Sequence, residues 1–254
     1  MGEGFTMNHK FVSLNFNNAT NGRNIKGALV AFFLHKRNSA KDFLFFRSKN
    51  LATPQAQVID NWLQKLKQHS LETYDHSLRV AQLTVQLAQT FGVYSKTQLA
   101  HIKNGALLHD IGKIAIPQEI LTKETTLTLD DRRMIECHPS TAYEWLSPIA
   151  FLQPALDIPH YHHERWNGGG YPLGLAGEAI PLTARICAIT DYWDALSNTR
   201  SYRSAISKTD VLTLIQQQSG KLFDPKITNL FCHMMQKNLV NYNSSNMPVQ
   251  ARLA

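Results

Sequence analysis

The sequence lacks a long hydrophobic run. Its longest uninterrupted apolar stretch, Ala28–Leu34, is followed at once by His35 and Lys36. This stretch is far shorter than the about 20 residues that a helix needs to cross a bilayer. The first residues, 1–10, contain neither an apolar core nor a small-residue cleavage site. We therefore expect no secretory leader and no transmembrane segment.

Cysteine is scarce. The three cysteines, Cys137, Cys187 and Cys232, lie far apart and form no C-x-x-C pair. Such spacing argues against a zinc site built from thiolates and against a disulfide framework. The sequence therefore predicts a protein of the reducing cytoplasm.

Residues 1–53 contain few acidic residues, whereas the rest of the chain does not share this shortage. The formal net charge is +7, and residues 1–53 hold eight Lys and Arg against two acidic residues. Residues 54–254 hold 18 basic against 17 acidic residues, so they are nearly neutral. We therefore expect no nucleic-acid polymer as a partner of this larger part. The basic segment could meet an anionic surface or could simply aid solubility.

The texture of the sequence changes near residue 53. Residues 1–53 contain short apolar runs separated by Asn, Gly and Ser, which favours short strands over helices. From Pro54 onward, apolar residues recur at three- and four-residue spacing, which is typical of helices. The sequence therefore predicts an all-α domain over 54–238, preceded by a small appendage that contains β structure and followed by a polar tail, 239–254.

Local signals subdivide the helical domain. Gly92 is expected to end one helix, and Thr128 with Asp131 resembles a capping box that opens another. Further helices are predicted over Gln98–Asp110, Leu182–Leu196 and Pro225–Gln236, with Ser207 and Asp210 opening one before the last.

Carboxylates in apolar surroundings are the first chemical signal. His109 and Asp110 lie at the end of an apolar helix, and Asp191 lies in another apolar stretch. A buried carboxylate without a counter-charge is costly, and a metal ion would remove that cost. An adjacent imidazole supplies a second ligand. These residues therefore indicate a metal site.

Further candidate ligands surround this pair. Glu72 and His76 stand four residues apart, which places them on one face of a helix. His162 and His163 are adjacent, so on a helix they would point about 100° apart and could address different ions. His138, expected within the helix that the capping box opens, adds another imidazole. Such a set suits a hydrolase that uses two or more ions to activate water near neutral pH.

The ligand types bear on the metal. Several histidines mixed with carboxylates suit iron or manganese better than magnesium, which prefers shells made only of oxygen. Zinc stays open on chemical grounds alone.

Together these motifs resemble the HD-GYP family, a group of metal-dependent phosphohydrolases. The resemblance covers roughly residues 68–237 and is highly specific, because the order and spacing of the motifs match throughout. The matching segments are Glu72 with His76, His-Asp-Ile-Gly-Lys at 109–113, His138-Pro139, His-His-Glu-Arg-Trp-Asn-Gly-Gly-Gly-Tyr-Pro at 162–172, Asp-Tyr-Trp-Asp-Ala-Leu at 191–196, and Arg-Ser-Tyr-Arg at 200–203.

The resemblance implies an all-helical HD-domain bundle that hydrolyses cyclic di-GMP with two or three iron or manganese ions. It implies that Asp110 bridges two ions, that Glu72 allows a third, and that Lys113 lies beside the scissile phosphate. The implied metal ligands are Glu72, His76, His109, Asp110, His138, His162, His163 and Asp191. The implied substrate contacts are Gly170, Tyr171, Pro172, Asp194, Arg200 and Arg203.

Departures from the family pattern are small. Gly169 stands where Ser or Thr is usual, and Ser201 replaces a proline, but no implied metal ligand is missing. The product could be linear pGpG or GMP. Two alternatives stay open, namely a phosphodiesterase for another cyclic dinucleotide such as cyclic GMP-AMP, and a non-catalytic protein that binds signalling partners. We favour catalysis because every ligand position is filled.

Overall fold

A computed structural model describes residues 53–199 and 204–246 of the chain. The chain divides into two compact units, Met1–Leu51 and Ala52–Ala254, and the described residues belong to the second. Within them the structure contains helices and two isolated β-bridges, so the predicted all-α class is confirmed. The β structure predicted for the N-terminal segment lies outside the described residues.

The described residues form ten α-helices. None of these helices is long and apolar enough to cross a membrane. They are α1 (Pro54–His69), α2 (Leu71–Phe91), α3 (Lys96–Leu108), α4 (Gln118–Leu121), α5 (Leu129–Glu136), α6 (His138–Leu146), α7 (Asp157–Tyr161), α8 (Leu182–Ser197), α9 (Lys208–Gln217) and α10 (Pro225–Asn246). Short 3-10 segments span Ile111–Ala115, Ala150–Ala155 and Gly177–Ala179.

Polar caps set several of these boundaries. Ser70 ends α1 and begins α2, since its side chain accepts a hydrogen bond from the Thr73 backbone at 3.2 Å. Gly92 ends α2 in the left-handed conformation with φ at 109°, as predicted. Thr128 and Asp131 form the predicted capping box at the start of α5.

Three boundaries differ from the sequence prediction. Helix α3 spans Lys96–Leu108, and His109 caps it instead of lying inside it. The helix predicted to hold His138 is divided at Cys137, so His138 is the first residue of α6. Helix α10 continues to Asn246 and so enters the predicted polar tail. Apolar periodicity does not mark such ends, because tertiary contacts decide how far a weakly amphipathic segment stays helical.

Helix α2 is the centre of the domain and contacts α1, α3, α8 and α10. The apolar core around it is almost free of solvent contact, as at Leu66, Val80, Leu87, Leu108, Ile186 and Phe231. Burial of each such side chain contributes roughly 1.5–3 kcal/mol to stability. The ends of α3 and α7, the start of α6 and the middle of α8 consequently meet beside α2.

Gly112 allows one close approach that shapes the site. A β-carbon at this position would lie 2.0 Å from the carbonyl oxygen of His138. Only glycine lets the 3-10 turn after α3 touch the first turn of α6. The contact brings the residues that follow α3 next to those that begin α6.

Candidate metal centre

The carboxylate of Asp110 lies between two sets of imidazoles. Its Oδ1 atom is 3.3 Å from Nε2 of His138 and 3.9 Å from Nε2 of His162. Its Oδ2 atom is 3.4 Å from Nε2 of His109 and 3.9 Å from Nε2 of His76. Each oxygen of one buried carboxylate therefore faces its own set of nitrogen donors.

Two groups of donor atoms follow from this arrangement. The His138 group comprises Asp110, His138, His162 and His163, and the His76 group comprises Asp110, His76 and His109, with the donor atoms in each group within 4.8 Å of one another. Asp191 adjoins the His76 group, since its Oδ1 atom lies 2.9 Å from Nε2 of His76 and 3.8 Å from Nε2 of His109.

The residues fit divalent metal ions. Nε2 of His109 and Oδ1 of Asp110 are buried atoms that have no hydrogen-bond partner among the described residues. A buried donor or acceptor in that condition is costly, and a cation on each side of Asp110 would satisfy both atoms. Neutral imidazoles with carboxylates form the donor set of iron, manganese and zinc sites in proteins.

Backbone carbonyls hold three of the histidines in one tautomer. Because a carbonyl oxygen only accepts, the Nδ1 atom that contacts it carries the proton and Nε2 keeps its lone pair. The contacts are His109 Nδ1 to Ala106 O at 2.8 Å, His138 Nδ1 to Ile135 O at 2.7 Å, and His162 Nδ1 to Ile158 O at 3.0 Å. In the neutral form all three rings consequently turn an unprotonated Nε2 toward Asp110, with those of His138 and His162 3.3 Å apart.

His76 is held differently, by a carboxylate. Its Nδ1 atom lies 2.7 Å from Oδ2 of Asp194, which is 5% exposed. The resemblance had implied a substrate contact for Asp194. In the structure this carboxylate lies behind His76, on the side of the ring away from Asp110.

Opposing effects set the ionisation of the carboxylates. Burial alone would raise the pKa of Asp110, but Lys113 and His109 hold it well below its ordinary value. Burial likewise opposes ionisation of Asp191, and the nearby His76 ring more than offsets it, so this pKa also lies well below its ordinary value. Both groups are therefore carboxylates at neutral pH, as metal ligands must be.

Burial also keeps imidazoles of the His138 group neutral. Loss of hydration lowers the pKa of His163 to about 3, and the nearby His138 contributes in the same direction. The pKa of His162 is lowered well below its usual value by burial and by the neighbouring His163. Neutral imidazoles are the form that binds metal.

Lys113 adds a cation at the edge of the cluster. Its Nζ atom lies 2.7 Å from Oδ2 of Asp110, and its side chain is 17% exposed. It is thus both paired with the central carboxylate and within reach of solvent. The contact with a phosphate that the resemblance implies for Lys113 stays a prediction.

The glycine-rich loop packs directly on a metal-ligand candidate. The rings of Tyr171 and His163 are stacked, with centroids 4.8 Å apart. The Tyr171 amide also donates to the carbonyl oxygen of His163 at 3.3 Å. Burial raises the pKa of Tyr171 well above its usual value, so the phenol is neutral. The structure thus places this ring against a metal-ligand candidate, and the substrate contacts implied for Tyr171 and Pro172 stay predictions.

Glu164 is a residue that sequence reasoning missed. It is 3% exposed, and its two oxygens accept hydrogen bonds from the backbone amides of Leu173 at 2.7 Å and Leu175 at 3.0 Å. Glu164 therefore holds the backbone at Leu173 and Leu175, on the C-terminal side of the loop, in place. Its position between the paired histidines and the glycines was the available signal, but the amides it binds depend on the loop's path.

Gly170 serves the same packing. A β-carbon there would lie 2.4 Å from the Arg165 nitrogen and 2.6 Å from the His163 carbonyl oxygen. The loop can lie against the histidine pair only without a side chain at this position. Whether the Gly170 backbone also contacts substrate, as the resemblance implies, stays a prediction.

Of three further expected residues, one lies outside the two groups and two fall outside the described residues. Glu72 is half-buried on α2, one turn before His76, and is not among the donors that lie within 4.8 Å of one another. The third ion that Glu72 would serve stays a prediction. Arg200 and Arg203 fall outside the described residues.

Comparison with known proteins identifies the family. A family model described as an HD domain matches residues 52–227. The cyclic di-GMP phosphodiesterase response regulator RpfG of Xanthomonas campestris pv. campestris is 42% identical over 150 residues, covering 58% of this chain and 39% of RpfG. The 3'3'-cGAMP-specific phosphodiesterase 2 of Vibrio cholerae is 35% identical over 176 residues, covering 68% of this chain and 34% of that protein. The chain thus spans well under half the length of these relatives.

Solved structures share the fold. Bd1817, an HDG"Y"P protein from Bdellovibrio bacteriovorus, superimposes with a TM-score of 0.54 at 21% identity, over 63% of this chain and 51% of that one. The HD domain of the L. monocytogenes phosphodiesterase PgpH, in complex with cyclic-di-AMP, gives 0.52 at 18% identity over 74% of this chain and 99% of that one. The chain belongs to the HD domain family and, by the motifs assembled around Asp110, to its HD-GYP group.

Proposed function

We propose that this chain is a metal-dependent phosphodiesterase that hydrolyses cyclic di-GMP to linear pGpG, to GMP, or to both. The observation that carries the proposal is the position of Asp110, whose two oxygens face two separate sets of imidazoles. An arrangement of this kind suits a pair of ions bridged by one carboxylate. The similarity to the cyclic di-GMP phosphodiesterase RpfG supports the choice of substrate.

Iron or manganese would be held by the His138 group and the His76 group with Asp191. Bound there, such ions supply Lewis acidity toward phosphoryl oxygens and lower the pKa of water, which is the chemistry of phosphodiester hydrolysis. We propose two ions, one on each side of Asp110, with Glu72 as the candidate ligand for a third. We expect the chain to act in the cytoplasm, as its sparse cysteines predicted.

Residues of the chain orient the metal ligands and supply positive charge near the substrate. The Nδ1 contacts fix the rings, so that no reorientation of the imidazoles is needed when substrate arrives. Lys113, at the solvent edge of the cluster, would place a positive charge beside the phosphate. We propose that Arg200 and Arg203 add further positive charge at the substrate.

One other substrate has a specific observation in its favour. The Vibrio cholerae relative that is 35% identical is named as specific for 3'3'-cGAMP. The metal ligands would be the same for either dinucleotide, so only the base contacts would differ. A non-catalytic role in binding signalling partners is disfavoured, because the donors around Asp110 form two groups that could each hold a metal ion.

The test is turnover measured together with metal content. Protein loaded anaerobically with iron or manganese should linearise cyclic di-GMP, as followed by chromatography of the products. A competition with 3'3'-cGAMP in the same reaction ranks the two substrates. Full metal occupancy without hydrolysis of either dinucleotide would refute the proposed activity and favour the binding role.

A further inference from the structure

The His76 ring lies between two carboxylates of the same helix. Its Nε2 atom is 2.9 Å from Oδ1 of Asp191, and its Nδ1 atom is 2.7 Å from Oδ2 of Asp194. These aspartates are three residues apart on α8 and therefore share a face of that helix. One carboxylate is at the metal side of the ring and the other is at its back.

Asp194 is itself held by its neighbours. The guanidinium of Arg79 donates from Nε to Oδ1 and from Nη2 to Oδ2, both at 2.8 Å. The amide of Asn198 donates to Oδ1 at 2.9 Å. With the His76 contact, each oxygen accepts two hydrogen bonds, and a carboxylate offers about four such positions. Asp194 therefore has no acceptor capacity left for a nucleotide.

The anchor of His76 differs in charge from those of the neighbouring histidines. His109, His138 and His162 each donate to a neutral backbone carbonyl. A carboxylate that accepts a hydrogen bond from one ring nitrogen of a histidine fixes the tautomer of that ring. It also makes the other ring nitrogen a stronger electron-pair donor to a metal ion. The Arg79 side chain, which is 44% exposed, pairs with the Asp194 carboxylate. The chain of contacts from Arg79 through Asp194 to His76 therefore runs from the protein surface to the cluster.

We infer that Asp194 and Arg79 are positioning residues for His76, and that they set the metal affinity of the His76 group separately from that of the His138 group. This inference rests on the proposed metal centre. It assigns Asp194 to the support of a ligand in place of the substrate contact that the resemblance implied. The two metal positions should therefore differ in affinity, since only the His76 group depends on the ion pair of Arg79 and Asp194.

Manganese titration of the metal-free protein tests the inference. In the variant Asp194→Asn, the affinity of one manganese position should fall about 10- to 100-fold, while the other stays unchanged. Paramagnetic resonance should then show the signal of an isolated manganese ion where the wild type shows a coupled pair. The variant Arg79→Met, altered at a partly exposed side chain, should weaken the same position by a smaller factor.

Asn198→Ala is the matched control. It removes the two hydrogen bonds that the Asn198 amide donates to the Asp194 carboxylate and backbone carbonyl. It leaves both the arginine pair and the His76 contact, so both affinities should stay within about twofold of the wild type. Should Asp194→Asn bind both ions as the wild type does, the inference is overturned, and a raised KM in that variant would restore the substrate contact. A wild-type protein that binds no manganese or iron would instead refute the metal centre itself.

Discussion

The ring of Tyr171 stacks on the ring of His163, with their centroids 4.8 Å apart and their planes inclined by 28°. A residue of the glycine-rich loop thereby contacts a donor of the His138 group. No hydrogen bond of the His163 ring is recorded among the described residues, in contrast to the four other site histidines. We therefore expect the stack to orient this ring, together with its contacts to the rings of His138 and His162.

Replacing Tyr171 tests this expectation. An aromatic pair contributes about 0.5–1.5 kcal/mol beyond its burial, so Tyr171→Ala should weaken metal binding at the His138 group about two- to tenfold. Tyr171→Phe keeps the stacked ring and should bind metal as the wild type does. Calorimetric titration with manganese measures both. A phenylalanine variant with normal metal affinity but a raised KM would show that the hydroxyl contacts substrate.

Asp110 is expected to be required for both metal positions. Asp110→Ala removes the carboxylate that both groups share, so metal content should fall at both positions and turnover should drop at least about 100-fold. Asp110→Asn keeps the shape and tests the charge. Elemental analysis and product chromatography measure the two effects, and retained turnover in the alanine variant would exclude the bridging role.

The Glu164 clamp predicts a loss of loop order without loss of the metal ligands. Glu164→Ala removes the acceptors of two backbone amides, which should lower the free energy of unfolding by about 1–3 kcal/mol. Urea unfolding measures this change, and KM should rise because the loop no longer holds its path. Glu178→Ala, at an exposed glutamate nearby, is the control and should leave both quantities unchanged. Equal stability of both variants would contradict the clamp.

Two neighbouring glycines provide a matched comparison. Gly170→Ala would force a β-carbon against the backbone at 2.4–2.6 Å, and it should cost at least about 1–3 kcal/mol of stability. At Gly169 the nearest contact is the flexible Asn167 side chain at 3.3 Å, so Gly169→Ala should stay within about 0.5 kcal/mol of the wild type. Thermal unfolding separates the two. Tolerance of alanine at both positions would show that the loop is not pressed against the histidine pair.

The metal-free protein should lose stability as the pH falls from about 6.5 to about 5. The pKa values of His138, His162 and His163 are lowered in the folded state, that of His163 to about 3. Below about 6.5 the unfolded chain therefore binds protons that the folded chain does not, and unfolding becomes easier. His109, whose pKa is raised by Asp110 and Asp191 against the effect of burial, opposes this trend.

Urea unfolding at several pH values checks the sign of this effect. His163→Gln removes one proton-binding group, so its stability should depend less on pH over the same window. A wild-type stability that is flat or that rises toward pH 5 would contradict the neutral state of the buried imidazoles. Asp110 and Asp191 do not contribute to the change, because their pKa values in the folded state and the value of about 3.9 in the unfolded chain all lie below this window.

The candidate ligands could be recognised from the sequence because their chemistry conflicts with their surroundings. Asp110 and Asp191 stand in apolar stretches where a carboxylate needs a counter-charge. The helices around them were also predicted in order, since caps such as Thr128 and Gly92 act locally. The division at Cys137 and the length of α10 escaped prediction, because those ends depend on packing.

Roles that pass through a second residue could not be predicted in this way. Nothing in the sequence indicates the contacts that Glu164, Tyr171 and Asp194 make in the structure, because each contact depends on a partner elsewhere in the chain. Asp194 is 118 positions from His76 along the chain, and only the packing of α8 on α2 makes them neighbours.

Residue type and spacing were enough to predict the helical class, the chemistry of the donors and the family. Which oxygen of Asp110 faces which histidines, and which group stands behind each imidazole, became visible only in the folded chain. The identity of a ligand resides in a single side chain. The direction of an imidazole lone pair instead depends on the hydrogen bonds that hold the ring, and the acceptors of those bonds can lie on a different helix.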